Sequence, residues 1–75
     1  MSRYALPVEV TDSTFVSAIT PEDPDYIQDA LNYGVDNPHG RHIIGIGTNS
    51  IDGVLVGDRD QLVRIATEIL ARLGA

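Results

Sequence analysis

RHIIGIGTNSIDGVLVGDRDQLVRIATEILARLG, residues 41–74, carries the clearest periodicity in the chain. From Asp60 to Leu73, Leu62, Ile65/Ala66, Ile69 and Leu73 recur at three- and four-residue steps, so they share one face of a helix. Arg64, Thr67, Glu68, Ala71 and Arg72 fall mostly on the other side. Asp58 suits the N-cap, Gln61 three residues on completes a capping box, and Gly74 suits the left-handed position that closes a helix. Asp60 to Arg64 and Glu68 to Arg72 have the spacing of helical ion pairs.

Upstream of that helix, His42–Thr48 and Gly53–Gly57 are β-branched runs bounded by turn residues, the signature of two strands. Two hairpin registers compete. Asp52-Gly53 can form a two-residue type I′ turn that pairs Ile51 with Val54 and Asn49 with Val56. The alternative loops out Thr48 to Asp52 and pairs Ile46/Gly47 with Gly53/Val54.

The first half repeats this plan more weakly. Tyr4 to Val10 alternates apolar and polar positions as a strand with one buried face, Pro7 belonging to its outward side. Thr11-Asp-Ser-Thr14 has a turn composition, and Phe15 to Thr20 reads as the next strand. Asp23 as N-cap and Pro24 at the first helical position start a short acidic helix that runs to about Tyr33, with Gly34 closing it. The expectation is a single α+β domain over residues 1–75, in ββα-ββα order: an acidic half 1–35, a loop 36–40 and a second half 41–75. Two helices would pack on one face of a largely antiparallel four-stranded sheet.

Seventy-five residues make a small core, for which association with a second copy is the remaining route to extra burial in a chain without cysteine. No apolar run approaches a membrane span and no export signal precedes the first strand, so a cytoplasmic protein is expected. All five basic residues are arginine, a bias expected of a GC-rich bacterial or phage genome. The net charge of −6 is unevenly spread. Tyr4 to Gly40 holds seven acids and no base, whereas residues 41–75 hold four acids and four arginines. Direct binding to nucleic-acid phosphates is disfavoured, because that affinity comes from Lys and Arg.

Candidate chemistry is sparse. Gly45, Gly47, Thr48, Asn49 and Ser50 resemble a glycine-rich ligand loop, but the element that follows reads as a strand and not as the helix a phosphate requires. His39 and His42, with Asp36 or Asp52, would be needed for a zinc site, yet nothing local converges the two rings. Ser13, Ser17 and Ser50 lie in no nucleophile elbow, so no catalytic residue is assigned. No cofactor or metal is expected. Glu22, Asp23, Asp25 and Asp29 form the densest charge cluster, and with Tyr26 and Tyr33 on one helical face they make a candidate surface for a partner protein with a basic patch. The sequence is that of a small non-enzymatic regulator, inhibitor or accessory factor that binds protein, with small-ligand or nucleotide binding at Gly45–Ser50 as the alternative.

Overall fold

A computed structural model describes residues 7–75. Along the chain lie β1 (Phe15–Ile19), α1 (Tyr26–Asn32), β2 (His42–Gly47), β3 (Ile51–Gly57) and α2 (Arg59–Leu73). Among the described residues the sheet has three antiparallel strands in the order β1-β2-β3, with β2 central. The α+β class stands, but among the described residues the sheet has no fourth strand and the ββα-ββα order is not confirmed. Of the expected first strand, Tyr4 to Leu6 lie outside the described residues and Pro7 to Val10 are not strand. Alternation there has no buried face to match it: Val10 is 74% exposed. The turn that follows does form, with the Thr14 N–H donating to the Thr11 carbonyl at 3.1 Å.

Register decides what each sheet face carries, because residues directly opposite one another in an antiparallel pair point the same way. Ser17, Gly45 and Val54 share one face, as do Ile19, Ile43 and Val56. On this face α1 packs: Ile19, Tyr26, Ala30 and Ile43 form the buried core, with Tyr33, Val35, Val54 and Val56 against it. The Tyr33 ring lies directly over Gly45, where a Cβ would stand 2.6 Å from the ring edge. Its hydroxyl shares a 2.6 Å hydrogen bond with the Ser17 hydroxyl, and the Tyr26 hydroxyl donates to the Arg41 carbonyl at 2.6 Å. Val16, Ala18, His42, Ile44, Ile46 and Leu55 project from the other face, where α2 lies. The two helices therefore flank the sheet instead of sharing a face.

The β2–β3 hairpin takes neither expected register whole. Ile46 pairs with Gly53, as in the looped-out alternative, but Gly47 pairs with Ile51, leaving Asp52 as an irregularity and a tight Thr48–Ser50 bend. The Asp52 carboxylate turns back to accept the Thr48 N–H at 3.3 Å, which takes it away from the Asp-Gly turn. A Cβ at Gly47 would run into the Ser50 carbonyl, so only glycine admits this bend.

Both helices end as expected, and α2 also starts as expected, at the Asp58–Gln61 capping box. Gly34 (φ 83°) and Gly74 (φ 78°) are left-handed, and the bonds from Gly34 N–H to Leu31 and from Val35 N–H to Ala30 complete a Schellman closure of α1. Asp58 precedes α2, its N–H donating to Gln61 Oε1 at 3.0 Å. However, α1 starts at Tyr26, not Pro24, because Asp23 turns backwards: its carboxylate accepts the Thr20 N–H at 2.9 Å and stabilises a turn. Arg64 pairs with Glu68 at 3.1 Å, while Asp60 is taken by its neighbour Arg59 at 3.3 Å.

Two glycine substitutions have opposite expected signs. Gly45→Ala drives a methyl into the Tyr33 ring and costs about 1–3 kcal/mol, the usual range for overpacking. Gly57→Ala meets Gln61 and Leu62 only at 3.4–3.7 Å, ordinary contact, and stabilises by about 0.4–1 kcal/mol by restricting the unfolded chain. Urea unfolding of the two variants checks both signs.

Candidate functional site

The most distinctive surface is an apolar groove between α2 and the second sheet face. Its floor is Val16, Ile44, Ile46 and Leu55, and its wall is Leu62, Ile65, Ala66 and Ile69 of α2. Its volume is about 400 Å³, and among the described residues its lining surface is apolar throughout. Arg59 and His42 mark one end, where β2 begins and α2 starts.

The groove exists because α2 has more apolar surface than the sheet covers. Leu62 and Ile65 turn inward and are half-buried. No residue of α2, all of which lie among the described residues, is fully buried. Val63, Ile69, Leu70 and Leu73 are 48%, 53%, 54% and 77% exposed. At 100° per residue Ile69 falls between Leu62 and Ile65, and Leu73, Ala66, Leu70 and Val63 continue the apolar arc to one side, while Asp60, Arg64 and Glu68 lie on the far side of the helix. Val16 (68%) and Leu55 (42%) extend the same patch across the sheet. Contiguous exposed apolar surface of this kind is a candidate site for binding a partner, ligand or membrane surface. Apart from His42 and Arg59 at one end the lining is aliphatic, so what the groove can do chemically is take up apolar surface.

The residues singled out in the sequence are dispersed. Glu22 and Asp25 are exposed at the start of α1 and Asp29 is half-buried, whereas Asp23 is committed to its turn. Tyr26 and Tyr33 belong to the core, anchored by their hydroxyls, and do not form an exposed pair. Gly45 is covered by Tyr33, and Gly47 belongs to the bend. Thr48 bonds the Thr14 hydroxyl at 3.0 Å and leads with Asn49 and Ser50 into β3. This arrangement presents no helix N-terminus to an anion. His39 sits in the 36–40 loop with φ 53°, and His42 lies on β2. Among the described residues no group of three His, Asp or Glu side chains gathers to hold a metal, and no helix is long and apolar enough to cross a membrane.

The groove itself was not singled out in the sequence. Its signal is the width of the apolar face of α2: Val63 and Leu70 fall beside the narrow stripe that a core helix needs, and they predict a second apolar contact.

The acidic cluster separates by role. Asp23→Ala costs about 0.5–1.5 kcal/mol, the net worth of its hydrogen bond, whereas Glu22→Gln and Asp25→Asn stay within about 0.5 kcal/mol of the parent, as thermal or urea unfolding will show. Compared with protein-family models, curated proteins and solved structures, the chain matches none.

Proposed function

We propose that this protein is a non-enzymatic protein-interaction module of the cytoplasm, a regulator, inhibitor or accessory factor, whose working surface is the groove between α2 and the sheet. The observation that carries this reading is α2 itself: an amphipathic helix of 15 residues with no buried residue among them. Fully burying a large aliphatic side chain stabilises by about 1.5–3 kcal/mol. Leaving Val63, Ile69, Leu70 and Leu73 in water forgoes most of that, and a protein partner recovers it. A trough about 22 Å long, at 1.5 Å per helical residue, with apolar walls suits the apolar face of an amphipathic helix.

A second surface carries the charge. Glu22 and Asp25 are exposed at the start of α1, and the ion pairs among the described residues, Arg59–Asp60 and Arg64–Glu68, leave both acids unengaged. This supports a rim contact with a basic partner, which acts on association rate and salt dependence more than on affinity.

A photo-reactive residue at Ile69, with one at Ile27 on exposed α1 as control, tests the reading in cells that produce the protein. Protein adducts at position 69 and not at 27 are expected. No adduct at 69, or equal labelling at both, overturns it. Glu22→Gln with Asp25→Asn is expected to slow association with a basic partner several-fold at low salt and to leave it unchanged at high salt, as stopped-flow or biolayer measurements will read.

A further inference from the structure

We infer that the occupant of the groove is a second copy of this chain, seated α2 against α2 about a two-fold axis near Ala66. The inference rests on the groove being a protein-docking surface and names its partner.

The first argument is area. The chain exposes 5967 Å², whereas a monomer of 8.1 kDa exposes about 4,500 Å². Even if residues 1–6 contributed as much as fully unfolded chain, about 1,000 Å², the rest exposes about 4,900 Å² against about 4,200 Å² for a folded monomer of its size, an excess of about 700 Å². A standard interface takes about 800 Å² from each partner. The missing burial, shared between the exposed segment 7–14 and the α2 face, is of the order of one side of a stable dimer.

The second argument is self-complementarity. A two-fold interface must pair one patch with itself, so the patch must supply both ridge and hollow. Here Leu70 and Leu73, exposed outside the trough, are the ridge, and the trough lined by Val63, Ala66 and Ile69 is the hollow. Ala66, the alanine of α2 that lines the trough, stands at the midpoint of Arg59–Leu73, where two helices crossing there approach most closely. An antiparallel crossing also places each helix's positive end beside the other's negative end.

Charge is the third argument. Residues 41–75 carry four acids and four arginines, so the α2 side is near neutral, while the seven acids of Tyr4–Gly40 belong to the other half of the chain. Pairing through α2 keeps those acidic halves apart. Asp60, Arg64 and Glu68, on the far side of α2 from the apolar stripe, stay in water and incur no desolvation cost.

Sedimentation equilibrium of the full chain from low micromolar to millimolar concentration is the test. The expected result is a two-chain mass that Ile69→Asp or Leu73→Asp reduces to one, with far-UV circular dichroism unchanged. Because the chain has no cysteine, Ala66→Cys introduces a unique thiol. A short thiol-to-thiol cross-linker is expected to join two Ala66→Cys chains and to leave Glu22→Cys chains single. A one-chain mass at every concentration overturns the inference, and foreign adducts at position 69 would then show that the docking reading survives without it. A two-chain mass that persists in both aspartate variants places the contact elsewhere, such as a strand edge, and also overturns it.

Discussion

The contact between the Tyr33 ring and the bare backbone of Gly45 is the constraint on which the rest of the structure depends. A side chain on β2 at that point would hold α1 away from the sheet. With none, a helix of only 7 residues reaches the sheet with Ala30 fully buried and its tyrosines anchored at Ser17 and Arg41. The economy on this face has a counterpart on the other. In a strand, successive side chains alternate between faces, so the glycines at 45 and 47 leave Ile44 and Ile46 on the side of α2. The bulky residues of β2 thus collect where the covering helix is long, amphipathic and incompletely seated.

How much of this was legible in the sequence follows from how local each determinant is. α2 is readable from cap to closing glycine, because Asp58, Gln61, the apolar spacing and Gly74 all act within a few residues of one another. β1, β2, β3 and the closure at Gly34 are readable for the same reason. The hairpin register was not: it depends on the Asp52 carboxylate choosing the Thr48 amide over a turn, a contest between two local solutions of similar merit. The start of α1 turned on a similar choice at Asp23, where a backward hydrogen bond to Thr20 defeats forward capping. The strand expected at Tyr4–Val10 shows the limit of alternation as a signal, since Val8 lies over Gly53 of β3 but Pro7 to Val10 form no strand and Val10 is left exposed.

The site was less legible than the fold, and for a physical reason. Charge clusters and glycine-rich loops stand out in a sequence because their chemistry is visible residue by residue, yet here they resolve into a turn, a helix start and a bend. An apolar docking surface differs from a core only in whether something covers it, which is a tertiary fact. Val63 and Leu70 look like core residues until the sheet on which they should lie is found to be three strands wide and already met by Leu62 and Ile65.

The order of the strands in the sheet repeats their order in the chain, so every pairing joins consecutive strands and none requires a crossover. Only the β2–β3 pairing is local in sequence, and a hairpin of that kind closes within about 1–10 μs, whereas β1 joins β2 across α1, pairing Ile19 with Ile43 and Phe15 with Gly47. The β2–β3 hairpin can therefore be in place while α2, joined to it through Gly57 and Asp58, is still settling. At that moment the nearest apolar trough is its own, but an identical one is offered by every other copy present. Local protein concentration during synthesis thereby becomes a variable in how the helix finds its seat, and neighbouring chains on one message would meet at the time when α2 is most available.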